Sequence, residues 1–161
     1  MELPKRKRNR LAEYDYSSPN VYFITVCSDQ RKKLFWKNVG ATIGRPEDVE
    51  LSPCGETVKR VIMEIPCHYP AVLVDHYVIM PNHIHLLLRI CADQYGRPMV
   101  APTISTVIQQ MKGVAAKRIG YGIWQKSFHD HVVRNEKDYL KIWEYIESNP
   151  MKWAEDCFYA E

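Results

Sequence analysis

"AVLVDHYVIMPNHIHLLLRI", residues 71–90, is the stretch on which the fold turns. Two apolar runs, 71–80 and 83–90, flank the dipeptide Pro81-Asn82. Proline pre-sets a turn and asparagine tolerates one, so the segment reads as strand, tight turn, strand. His83 and His85 stand two apart at the start of the second run. Strand side chains alternate faces, so both imidazoles point the same way with Cα atoms about 6.6 to 7 Å apart, while Ile84 enters the opposite face. Such a pair can grip one metal ion, or it can be two polar residues on a solvated strand face.

Working outward, "NVYFITVCSD" (20–29) follows Pro19 and is rich in β-branched and aromatic residues, which predicts a strand beginning near Val21. The stretch 30–54 carries Gly40, Gly44, Pro46 and Pro53 without periodicity and reads as a loop or insertion. Val58, Val61, Ile62 and Ile65 recur at helical spacing, predicting a helix from Glu56 to Ile65 stopped by Pro66. A second helix is capped by Thr103 or Ser105, carries Ile104, Val107, Ile108, Met111, Val114 and Ala115 on one face, and ends near Gly120. "SFHDHVVRN" (127–135) predicts a short strand holding a second histidine pair, His129 and His131, and residues 136–149 a helix terminated by Pro150. The order is strand, helix, strand, strand, helix, strand, helix. It matches an α+β, ferredoxin-like arrangement: an antiparallel sheet with two helices packed on it, plus an added C-terminal helix. A parallel doubly wound sheet fits poorly, because 72–90 reads as a hairpin rather than a crossover.

The chain has 161 residues, 46% of them hydrophobic and 25% charged, as expected for one folded domain (1–161) with a basic N-terminal arm (1–18). No apolar run approaches the roughly 20 residues that span a bilayer, and no apolar segment follows the charges of "MELPKRKRNR", so no membrane and a cytoplasmic location are expected. Five cysteines with no C-x-x-C pair point to reduced thiols rather than a disulfide framework or zinc ribbon. Net charge is only +3, but Lys5, Arg6, Lys7, Arg8 and Arg10 cluster. That run is either a solvated tail or an arm for nucleic-acid phosphates.

On the last helix Tyr145 and Asn149 are four apart, hence on one face and about 6 Å apart along the axis. A hydroxyl and an amide oxygen then reach toward one point. The competing reading makes Tyr145 part of a packed stripe with Tyr139, Ile142 and Ile146, and Asn149 a helix end. A structural zinc site built from all four histidines is disfavoured, since closed sites usually recruit thiolates at C-x-x-C spacing.

"RLAEYDYSSPNVYFITVCSDQR", "YVIMPNHIHLLL", "WQKSFHDHVVRNEKDY" and "YIESNPMKW", in this order and spacing, resemble the REP-associated tyrosine transposases, relatives of the HUH transposases of single-strand insertion sequences. The resemblance runs from about residue 9 to 153, weakest in the middle. It implies metal ligands at His83 and His85 and a catalytic tyrosine at Tyr145. A third ligand falls on Asn149, where the wider family often has glutamine. It implies a ferredoxin-like fold and an Mg2+- or Mn2+-dependent endonuclease that cleaves and rejoins single-stranded DNA, at hairpin or palindromic repeat ends, through a 5′-phosphotyrosine. No nucleotide cofactor is needed, and no G-x-x-x-x-G-K-[ST] stretch is present. The arm together with Arg31, Lys32, Lys33, Lys112 and Lys117 supplies candidate phosphate contacts, and Trp36, Trp124 and Trp153 either stack on bases or pack as core. The protein is expected to be a monomer or homodimer. Two other readings stay open: a domesticated hairpin-binding or regulatory protein without strand transfer, and a metal-dependent hydrolase, whose usual third carboxylate ligand is not evident beside the histidines.

Overall fold

Residues 11, 14–16, 19–38, 48–92 and 103–156 are described by the computed structural model. The elements are β1 (Asn20–Cys27), α1 (Pro53–His68), β2 (Val72–Ile79), β3 (His83–Ile90), α2 (Ile104–Ile119), β4 (His129–Val132) and α3 (Glu136–Ser148). The sheet order is β2-β3-β1-β4 with every neighbouring pair antiparallel, as in the expected split arrangement. Most of the basic arm, including Lys5, Arg6, Lys7, Arg8 and Arg10, lies outside the described residues. No helix among the described residues is long and apolar enough to cross a membrane.

Alternation along β3 sorts the layers. Ile84, Leu86, Leu88 and Ile90 join Tyr22, Ile24 and Val26 of β1 and the apolar stripes of α1 and α2 in the main core. Each such fully buried aliphatic side chain contributes about 1.5–3 kcal/mol of transfer free energy. Leu87 lies on the other side, with Val21, Val133 and Ile142 and Ile146 of α3. His83 and His85 share parity with Leu87, so they face the α3 layer.

Helix α2 follows expectation, with Thr103 Oγ1 accepting from the Thr106 N–H and Gly120 closing it at φ 104°. Helix α1 is longer than the periodicity predicts. Ser52 caps it by accepting from the Gly55 N–H at 3.1 Å, and Pro53 occupies the first turn, where a missing N–H is harmless. It also runs through Pro66 to His68, because a proline so near the end forfeits one bond while the Tyr69 N–H still reaches the Ile65 carbonyl at 2.9 Å. Residue 55 must be glycine: a Cβ there would sit 2.2 Å from the Phe35 carbonyl oxygen. The expected loop at 30–54 contains a 3-10 turn at Asp29–Arg31 and a bridge between Trp36 and Leu51.

The second departure is at the C-terminal end. Pro150 ends α3 but not the helical path, which tightens into a 3-10 segment, Asn149–Glu155. The proline stands in the first turn of that segment, where its ring is tolerated. Trp153 and Asp156 are thereby carried to His83.

Helix α3 is anchored through a bulge in β2. The register between β2 and β3 shifts at Val74/His76, leaving Asp75 as the extra residue. Asp75 accepts from Arg89 at 2.6 Å and from the Tyr139 hydroxyl at 3.0 Å, while His76 lies 2.7 Å from Glu147 and stacks on Trp143 with centroids 4.3 Å apart. These polar contacts pin the helix at both ends, and Ile142 and Ile146 bury its apolar face.

Candidate active site

At the N-terminal end of β3, His83 and His85 are 0% and 1% exposed. Their Nε2 atoms face each other at 3.1 Å. The opposite ring nitrogens are held by neighbours: His83 Nδ1 lies 2.8 Å from Asn82 Oδ1, and His85 Nδ1 lies 2.8 Å from Thr25 Oγ1. Asn82 Nδ2 donates to the Arg31 carbonyl at 3.3 Å, which turns its oxygen toward His83 and makes the imidazole donate from Nδ1. His83 Nε2 is then the acceptor nitrogen, turned toward His85 and Asp156. A threonine hydroxyl both donates and accepts, so His85 can take either tautomer. Outer partners of this kind orient metal-binding imidazoles.

Burial pushes both histidines down, His83 to about 2 with help from the neighbouring His85 and the Arg31 charge, and His85 to about 3. Neutral imidazoles are the ligand form. The donor spacing also fits a metal: two atoms each about 2.1 Å from one ion lie about 3 Å apart at a right angle, close to the 3.1 Å found between the two Nε2 atoms.

Tyr145 of α3 brings its hydroxyl to 3.5 Å from His85 Nε2. Its ring stands edge-on to His85 and to Phe23, which itself stacks on His85. The side chain is nonetheless 40% exposed, so it is not the packed core residue of the competing reading. Asn149, one turn later, is buried, and its Oδ1 has no hydrogen-bond partner among the described residues. An orphaned buried carbonyl costs about 1–3 kcal/mol, the expected state of a ligand without its ion. A cleft of about 550 Å3 opens along α3 and the 3-10 segment, lined by Tyr145, Ser148 and Asn149, by the cations Lys141 and Lys152, and by the carboxylates Glu144, Glu155 and Asp156.

The other candidates divide. Arg31 is exposed, and its backbone is tied to Asn82 at the edge of the histidine pair. Lys32 and Lys33 are also exposed. Lys112, expected at a phosphate, instead donates to the Gln125 and Ser127 carbonyls at 2.6 and 3.4 Å, because it is half-buried where α2 meets the chain entering β4. Lys117 is exposed, but α2 covers the sheet face opposite the histidines. Trp36 and Trp153 are buried in the core, and Trp124 packs against Phe35.

Sequence reasoning missed the Asp156 carboxylate, whose Oδ2 is 3.7 Å from His83 Nε2, and it missed Lys141 and Lys152 in the cleft. For Lys141 the signal was available, since 141, 145 and 149 repeat at the spacing that joined Tyr145 to Asn149.

No family model matches the sequence. An uncharacterized protein of Haemophilus influenzae is 32% identical over 175 residues, covering 97% of this chain and 94% of that one. A second Haemophilus influenzae protein, described as "Putative REP-associated tyrosine transposase", is 30% identical over 146 residues, covering 86% of this chain and 74% of the relative. Among solved structures, a REP-associated tyrosine transposase bound to a REP hairpin superposes with a TM-score of 0.59 at 22% identity, covering 88% of this chain and 74% of that one. The shared four-stranded antiparallel sheet with its helices and the extent of the sequence match agree: this chain belongs to the REP-associated tyrosine transposase family.

Proposed function

We propose that the protein cleaves and rejoins single-stranded DNA by transesterification, with Tyr145 as nucleophile and a divalent metal, Mg2+ or Mn2+, held by His83, His85 and Asn149. The observation that carries this reading is the Tyr145 hydroxyl, borne on a partly exposed residue yet 3.5 Å from the ring nitrogen of a buried histidine pair. The phenolic oxygen forms a bond to phosphorus while the P–O3′ bond breaks. The phenol proton leaves to water at the open cleft, the departing O3′ becomes a hydroxyl, and the 5′ end stays on the tyrosine. A later 3′-hydroxyl reverses these steps, so each phosphodiester is exchanged for another and no energy source is consumed.

A phenol of pKa about 10 is ionised to about one part in a thousand at pH 7, about 4 kcal/mol short of a phenolate. A bound divalent cation supplies Lewis-acid stabilisation of charge on the phosphate, a contribution of several kcal/mol. The chain itself orients the phenol through Phe23 and His85 and fixes α3 through the Asp75 and His76 contacts. Among the described residues, the exposed Arg31, Lys141 and Lys152 are assigned to flanking phosphates. The solved relative's REP hairpin supports a hairpin or palindromic repeat end as substrate.

A metal-dependent hydrolase is the second reading, because Asp156 provides the carboxylate that such sites use. Labelled single-stranded DNA incubated with Mn2+ separates the two. Protein-linked DNA that survives denaturation and is lost in Tyr145→Phe supports transesterification. Cleaved ends free of protein support hydrolysis, and hairpin binding untouched by Tyr145→Phe and His83→Ala, with no cleavage, supports a binding module.

A further inference from the structure

We propose that Asp156 is an additional, anionic ligand of the metal site, so that metal binding also fastens the 3-10 segment Asn149–Glu155 against the histidine pair. This rests on the metal-dependent reading above and goes beyond its His83, His85 and Asn149 set. The ligand atoms of His83, His85 and Asp156 all lie within 4.8 Å of one another, and the Asp156 side chain is 1% exposed. The 3.7 Å from Asp156 Oδ2 to His83 Nε2 exceeds a hydrogen bond. It falls within the about 3 to 4 Å that separates two atoms bound about 2.1 Å from one ion at ordinary ligand angles.

The chain's path gives a second, independent pointer. Asn149 opens the 3-10 segment and Asp156 follows its end, and both line the cleft into which the Tyr145 ring projects. The Asn149 oxygen is buried with no hydrogen-bond partner among the described residues. An ion at the histidines would thus be approached by oxygen donors from both ends of one segment. Between them Trp153 packs on His83 with centroids 6.1 Å apart, which holds the segment in register with the pair.

The chemical consequence concerns which ion is held and how firmly. Two imidazoles and an amide carbonyl form a neutral set, whereas adding a carboxylate gives the site one negative charge and a hard oxygen. That combination favours a first-row ion such as Mn2+, which accepts both nitrogen and carboxylate donors. It also links occupancy to the order of the segment that follows the nucleophile's helix, because pulling Asp156 away costs a ligand bond.

The test uses the full chain and Mn2+ alone, stripped first with chelator. Titration calorimetry compares wild type with Asp156→Asn, which keeps the shape and removes the charge, and with His83→Ala. Asp156→Asn is expected to weaken Mn2+ binding at least tenfold. Mn2+ is also expected to slow trypsin cleavage after the exposed Lys152 in wild type and not in Asp156→Asn, a readout that needs no DNA. Affinity within twofold of wild type in Asp156→Asn, together with loss of binding in His83→Ala, overturns the assignment. So does cleavage after Lys152 that is indifferent to Mn2+ in wild type. If Asp156→Asn unfolds, the trypsin comparison in wild type decides alone. The strand-exchange reading is judged separately by the Tyr145–DNA linkage: linkage with no Asp156 effect sinks only this inference, and an Asp156 effect with no linkage sinks only that reading.

Discussion

The chain holds two histidine pairs of identical spacing, His83/His85 on β3 and His129/His131 on β4, and they meet different fates. The register even places them on one sheet face, with His85, Thr25 and His129 in a row across β3, β1 and β4, and His131 opposite Phe23 in the next. Yet His83 and His85 are buried with converging ring nitrogens, while His129 and His131 are exposed. The difference is what surrounds them. Helix α3 and the residue after the 3-10 segment bring Tyr145 and Asp156 to the first pair, whereas β4 is an edge strand.

The second pair still has work near the helix. His131 Nε2 lies 2.8 Å from Asp138, and that contact holds the carboxyl below the usual range. Asp138 Oδ2 accepts from the Arg134 N–H, and its own N–H is capped by Asn135. His131 thus ties the edge strand to the start of α3, the helix that carries Tyr145. An H-x-H spacing makes a site only when burial, outer partners and a third element converge on it.

Substitutions can break that contrast, and the largest effect is expected on cleavage. His83→Ala or His85→Ala should lower metal-dependent DNA cleavage about a thousandfold, equivalent to about 4 kcal/mol of the several a cation supplies. His129→Ala and His131→Ala should stay within about fivefold in the same gel assay. Equal losses at both pairs would erase the distinction.

Acid unfolding sharpens it next. Folded His83 and His85 sit at about 2 and 3, below the about 6.5 of an unfolded histidine. Between pH 3 and 6.5 the unfolded chain therefore binds more protons, so stability falls as pH falls. For the metal-free protein each buried histidine should remove about 2 kcal/mol between pH 6.5 and 5. Urea midpoints across that range should show a shallower slope in His85→Gln than in the wild-type chain.

Much of this was legible in the chain. The hairpin at 71–90, the α2 stripe and the order of elements along the chain followed from period and turn chemistry, because those signals are local. The strand period of 2 put His83 and His85 on one face and the helix period of 3.6 put Tyr145 and Asn149 on another, but that the two sets meet was implied only by the family resemblance. Thr25 was not legible as the His85 partner, since only the β1–β3 register brings it there. The Asp75 bulge was equally hidden, as one residue inserted into β2 leaves no pattern of its own. Asp156 lay beyond a proline that ended the expected helix, and a 3-10 segment has no apolar period long enough to read.

Smaller effects test the supporting groups. Thr25→Val should leave the fold intact and weaken Mn2+ affinity about tenfold by freeing the His85 ring, measured by calorimetry. His131→Ala should cost no more than about 1 kcal/mol in urea unfolding, as for an exposed pair at a helix start. A loss several times larger would mean that the edge-strand pair supports the site more deeply than its exposure suggests.

The central claim is that the Tyr145 oxygen, and no other group, receives the 5′ phosphate. Peptide mapping by mass spectrometry of protein trapped with single-stranded hairpin DNA and Mn2+ tests it most directly. The account predicts a nucleotide attached through phosphate to the tyrosine of the peptide containing "IWEYIESNPMK", with a free 3′-hydroxyl on the released strand. Attachment to any other residue, or cleaved DNA with unmodified Tyr145 throughout, would contradict it.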